Sequence, residues 1–146
     1  MSLKEKINAD LKVSMLARDS FSTNVLRGLK AAILSEEVAK NKREKGLDDS
    51  EIESVIVREV KKRNEAAKLL DEERANNELK EAEILSKYLP EMMNEEEVLK
   101  IVQNEVSKLD EKSPKQMGQV IGSIKAKYGN SIDGSMLAKM VKEELV

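Results

Sequence analysis

The feature that most restricts this chain is what it has to build a core from. Phe21, Tyr88 and Tyr128 are its only aromatic residues, and there is no tryptophan. The interior must be filled by Leu, Ile, Val, Met and Ala, which is the filling of helix bundles rather than of β-sandwiches. At 146 residues a folded chain hides roughly 70% of its extended surface, enough for one globular unit or two small ones packed together.

The spacing of those apolar residues agrees. Ser2 is placed to cap a first helix, with Glu5 three residues later as the second half of a capping box and a stripe of Leu3, Ile7, Leu11 and Met15. A second helix starts at Asp19 or Ser20 and runs to about Lys42. Its stripe is Phe21, Val25, Leu29 and Ile33, widened by Leu26 and Leu34, with Gly28 read as a point of close helix contact. Asp48 and Glu51 open a third helix through Ile52, Val55, Ile56, Val60, Ala67 and Leu70. Polar residues weaken the pattern after Asp71, so a break is expected near Arg74 to Asn77. A fourth helix carries Leu79, Ala82, Ile84, Leu85 and Tyr88 and must end before Pro90, because proline disfavours helical geometry at Leu89.

Beyond Pro90 the signals restart. Asn94 and Glu97 form a third capping box, followed by Val98, Ile101, Val102, Val106 and Leu109. Ser113 and Pro114 read as an N-cap and first helical position for Met117, Val120, Ile121 and Ile124, with Gly129 and Asn130 as a left-handed stop. Asp133 or Ser135 caps a last helix with Met136, Leu137, Met140, Val141 and Leu145. No segment alternates like a strand. The expected fold is all-α and multihelical, with about four helices in residues 1–90 and three short ones in residues 91–146.

Much chemistry is excluded by composition. Cysteine and histidine are both absent, which removes thiol nucleophiles, disulfides, Cys or His zinc sites and an imidazole base. Gly46, Gly118, Gly122, Gly129 and Gly134 fit neither a P-loop nor a dinucleotide fingerprint. The Glu36–Glu37 pair and the Glu95 to Glu97 run splay apart at consecutive helical positions, or favour the dipole in a first turn, rather than converge. No catalytic residue, metal ligand or cofactor is expected. Residues 1–14 carry charges every few positions and no stretch approaches the length of a membrane span, so a cytoplasmic chain with no membrane partner is expected.

The net charge of −2 is unevenly spread. Residues 1–45 hold ten basic and six acidic side chains, residues 46–112 eleven and nineteen, and residues 113–146 five and three. This is not a general phosphate-neutralising surface, so nucleic-acid binding would be local and modest.

Several short motifs then occur in a telling order. Tyr88, Leu89, Pro90 and Glu91 are followed by Asn94 to Glu97, by Met117, Gly118, Gln119, Val120, Ile121 and Gly122, and by Gly129 with Asp133, Gly134 and Ser135. In order and spacing they resemble the successive signatures of YqeY-type proteins of the GatB/YqeY family, nearly end to end. Residues from about 91 onward also resemble the C-terminal tail domain of the B subunit of the glutamine-dependent Asp-tRNA/Glu-tRNA amidotransferase. The resemblance implies two all-α subdomains and a link to tRNA. It implies a tRNA-contacting appendage, since the amide-transferring chemistry of that enzyme belongs to parts missing here. It also leaves open participation in carbon–nitrogen ligase activity with glutamine as amido donor.

The sixth helix and its flanking turns are the candidate site. Gly118 and Gly122, four apart, give one helical face stripped of side chains. In one reading an RNA backbone approaches this face, with Lys115, Gln119, Lys125 and Lys127 as donors and Gly129 and Asn130 as an exposed turn of amides. In the other, the face packs against a neighbouring helix. Tyr128 is a core edge or a lone stacking platform. A different class of function is a helical interaction module that docks an amidotransferase or aminoacyl-tRNA synthetase. Its surfaces would be Arg27, Lys30, Lys40, Lys42 and Arg43, or the acidic Glu72, Glu73, Glu78, Glu81 and Glu83.

Overall fold

The computed structural model describes residues 1–146 and contains seven α-helices, two short 3-10 turns and no strand. They are α1 (Leu3–Leu16), α2 (Ser20–Ala39), α3 (Asp49–Ala67), α4 (Glu72–Ser86), α5 (Glu95–Ser107), α6 (Met117–Tyr128) and α7 (Gly134–Leu145), with 3-10 turns at Pro114–Gln116 and Gly129–Ser131. The chain divides into two compact units, Met1–Leu89 and Pro90–Val146. No helix is long and apolar enough to cross a membrane.

Short polar side chains set the helix starts. Ser2, Asp19, Asp48, Asp71, Asn94 and Asp133 each accept a hydrogen bond from a backbone amide in the first turn of the helix that follows. For Ser2 or Asn94, loss of that bond costs about 1 kcal/mol. Of the three expected capping boxes, only Asp48 with Glu51 closes in both directions; the other two keep only the bond made by the cap residue. The break between α3 and α4 also falls earlier than expected. Asp71 accepts from the Arg74 amide at 3.0 Å, so Arg74 to Asn77 are helical and the interruption is at residues 68–71. A composition shift had marked the break, but a cap residue fixes it.

In the N-terminal unit, Ile7 of α1, Val25, Leu29 and Ile33 of α2, Ile52, Val55 and Ile56 of α3 and Leu85 of α4 form the core, closed by Leu47. Each fully buried aliphatic side chain contributes about 1.5–3 kcal/mol. The α2 stripe is narrower than its sequence suggested: Phe21 is 37% and Leu34 43% exposed. Successive i, i+4 positions drift by about 40° around a helix, so Phe21 leaves the buried arc at one end of the stripe, while Leu34 lies on its flank, about 100° around from the buried Ile33. Gly28 has nothing within 4 Å of where a Cβ would stand and so makes no close helix contact.

One buried charge ties this unit together. Glu37 is 4% exposed, and its Oε2 accepts from the Lys4 ammonium at 3.0 Å and from the Leu47 amide at 3.2 Å. It thereby joins α1, α2 and the loop leading to α3. The Leu3 amide donates to Asp49 at 3.0 Å, a second link from α1 to the start of α3. Arg63 of α3 faces Glu59 and Glu81, joining α3 to α4.

In the C-terminal unit the core is Val98, Val102 and Val106 of α5, Val120 and Ile124 of α6, Ile132, and Leu137, Val141 and Leu145 of α7. The Met93 amide donates to the Ser131 carbonyl at 2.8 Å, pinning the segment after Pro90 to the turn before α7.

Candidate nucleic-acid interface

The approach to α6 is set by Ser113, whose hydroxyl accepts from the Lys115 amide at 3.3 Å, and by Pro114 at the head of the 3-10 turn. Val120 and Ile124 turn inward, with Met117, Ile121 and Tyr128 partly buried against the same core. Tyr128 is thus a core edge. The residues between them point away: Lys115, Gly118, Gln119, Gly122 and Lys125 are all exposed.

Beyond the adjacent residues and the helix's own backbone, no heavy atom lies within 4 Å of the position a Cβ would occupy at Gly118 or Gly122. The close-packing reading of these glycines therefore does not hold within this chain, and α6 presents bare backbone there. Lys115 precedes this strip and Lys125 lies on the same face one to two turns further along, since positions 115, 118, 122 and 125 recur at helical spacing. Lys125 extends toward the start of α7, with its Nζ 4.0 Å from where a Gly134 Cβ would be.

Lys127 is placed differently. Its ammonium contacts Glu105 of α5 at 2.7 Å, and the same carboxylate takes Lys108 at 3.4 Å and the Ser123 hydroxyl at 3.4 Å. The hydrogen bond from Lys127 and the nearby Lys108 hold the Glu105 carboxyl below its usual range, and Glu105 in turn raises Lys127. Lys127 is committed within the unit, whereas Lys115 and Lys125 form no ion pair. Gly129 ends α6 with φ 56°, and its amide donates to the Lys125 carbonyl. Asn130 is half-buried in the following 3-10 turn, with an ordinary negative φ. The structure thus gathers Lys115, Gly118, Gln119, Gly122 and Lys125 on one open face and leaves Lys127 and Asn130 off it.

The surfaces considered for protein docking are partly used internally. Lys40 and Lys42 both reach Glu51, at 3.4 and 2.8 Å, and Glu81 faces Arg63. Burial pushes the Glu81 carboxyl up, against the opposing pull of Arg63. Sequence reasoning missed another surface: Val13, Met15 and Leu16 are 64%, 50% and 80% exposed at the end of α1. Arg18, in the turn that follows, has φ 57°, a left-handed conformation uncommon for a side chain of that size. The apolar run Val13, Met15, Leu16 was visible in the sequence, but its four-residue repeat put Met15 on the core face. No group of three or more acidic side chains is arranged to hold a metal ion.

The sequence model of one family, described as Yqey-like protein, matches residues 4–145. No curated protein matches the chain.

Proposed function

The chain belongs to the Yqey-like protein family, and from that premise we propose that it is a non-catalytic, tRNA-associated accessory protein whose RNA contact is made by α6. The observation that carries this reading is the open space over Gly118 and Gly122, flanked by Lys115, Gln119 and Lys125. A helix face without side chains lets a sugar-phosphate backbone come close to main-chain atoms, and two uncommitted ammonium groups supply charge without reading sequence. Binding should therefore follow the shape of a structured RNA and weaken steeply with salt. That the RNA is tRNA is what the sequence resemblance of residues from about 91 onward to the amidotransferase B-subunit tail implies.

Titration of the purified chain with total tRNA at about 50 mM and about 200 mM salt tests this. Micromolar binding that falls by tenfold or more between the two, and is lost in Lys115→Glu with Lys125→Glu, supports the assignment. Binding that survives both substitutions, or is absent at the lower salt, overturns it.

A second reading, a helical docking module for an amidotransferase or aminoacyl-tRNA synthetase, is favoured by the exposed Val13, Met15 and Leu16. Single apolar residues at a surface are ordinary, but Val13 and Leu16, three positions apart, are neighbours on one face of α1 and both exposed. Capture from lysate of such a protein after nuclease treatment, abolished by Leu16→Glu, would put this reading first.

A further inference from the structure

In the N-terminal unit, α1, the beginning of α2 and the end of α4 line an open cleft of about 370 Å³. That is within the range of small-molecule sites. Its apolar wall is Val13, Leu26 and Ile84, and its polar groups lie on α1, at the start of α2 and just after α4. At one end the Tyr88 hydroxyl donates to Asp10 Oδ2 at 2.6 Å, and the Lys6 ammonium stands 5.6 Å from the Tyr88 ring centroid. Lys87, the neighbour of Tyr88 in sequence, completes this end. At the other end is Asp19, whose carboxylate already caps α2 by accepting from the Ser22 amide at 3.1 Å. From Lys6 to Ala17 the cleft follows α1 for roughly 16 Å at 1.5 Å per residue.

Charge decides what fits. Neither Lys6 nor Lys87 takes part in any of the chain's ion pairs, although several other lysines of this unit do. Asp10, the acid nearest to them, has its Oδ2 engaged by the Tyr88 hydroxyl. Burial and the adjacent Asp10 raise the Tyr88 phenol, so it stays a donor to that carboxylate at neutral pH. With Lys6 and Lys87 set against the single carboxylate of Asp10, this end keeps an excess of positive charge and can accept an anionic head, and Asp19 disfavours an anion at the far end. We propose that this cleft binds a small carboxylate with an extended apolar body, its head met by Lys6 and Lys87 and its body lying along Val13, Leu26 and Ile84.

Decanoate and decylamine, both below their aggregation concentrations, are the probes, titrated into the full chain and followed by amide NMR. The expected result is saturable binding of decanoate at least tenfold tighter than of decylamine, with shifts centred on Lys6, Asp10 and Ile84 to Tyr88. Lys6→Ala with Lys87→Ala should weaken decanoate at least tenfold while lowering the melting temperature by only a few degrees, through loss of the Lys6 contact with the Tyr88 ring. Val13→Glu, at a surface position, should weaken it through the body rather than the head. Equal affinity for the acid and the amine, no saturable binding, shifts confined to Met15 and Leu16, or full affinity in both variants overturns the proposal. The RNA experiment concerns the other unit, so either can fail alone.

Discussion

Glu37 offers the sharpest test of how the N-terminal unit is held. Its carboxylate is the acceptor for the buried Leu47 amide and the partner of Lys4. Glu37→Ala leaves the Leu47 N–H without a partner where water has little access, since Leu47 is 6% exposed, and an unsatisfied buried donor costs about 1–3 kcal/mol. The ion pair adds less than about 1 kcal/mol, because the Lys4 side chain is 46% exposed and can return to water. The sum is about 1–4 kcal/mol, which for a unit of this size lowers the melting temperature by about 4–32 °C. Glu37→Gln keeps a carbonyl oxygen for Leu47 and should cost only about 1 kcal/mol. Thermal denaturation of both variants, with hydrogen exchange at the Leu47 amide, makes the comparison. The reasoning is refuted if glutamine is as damaging as alanine, or if Leu47 exchanges no faster in the alanine variant, for then the backbone bond is not what Glu37 supplies.

Three further outcomes follow from the geometry. The Lys42 ammonium, 2.8 Å away, and the Asp48 amide hold the Glu51 carboxyl down to about 2 from an ordinary 4.5. A depressed folded-state value means the stabilisation is present above about pH 4.5 and is lost as pH falls toward 2. In Lys42→Ala the NMR titration midpoint of Glu51 should move back toward 4.5, and an unmoved midpoint would assign the shift to the Asp48 amide and Lys40. Gly122→Ala should stabilise the C-terminal unit by about 0.5–1 kcal/mol in chemical denaturation, since the methyl meets nothing and the helix gains propensity; destabilisation would mean the face is packed after all. Gly129→Ala should cost that unit about 1–2 kcal/mol, because φ 56° with ψ −132° is strained for any residue with a Cβ, and a neutral result would contradict that backbone.

What could be read from the sequence was what depends on neighbours three or four residues apart. Ser2, Asp48, Asn94 and Asp133 announce their helices because a cap bonds to its own first turn, and Pro90 stops α4 by local sterics. Val98, Val102 and Val106, or Ile52 and Ile56, show their inward face by spacing alone. The rest depends on contacts between distant residues. Asp10 and Tyr88 are 78 positions apart, and nothing in either neighbourhood indicates that they meet. The same holds for Lys127 and Glu105: a lysine near a glycine turn looks like a free donor until α5 delivers a carboxylate to it. Gly28, Gly118 and Gly122 suggest close packing in sequence because glycine permits it, but permission does not supply a neighbour. Met15 and Phe21 show the reverse error, since an apolar residue in register with a stripe still lies outside the core where the helix rotates it away.

The nearly all-aliphatic interior has a consequence for how this molecule can be observed. With no indole and one phenol in each unit, the ordered core is almost silent in near-ultraviolet dichroism, so loss of packing would pass unnoticed by the usual optical criterion for a loosened state. The same interior is dense in the isopropyl and sec-butyl groups of Val, Leu and Ile. Their methyl resonances are spread over every helix and are the natural record of whether each unit is rigid, breathing or melted.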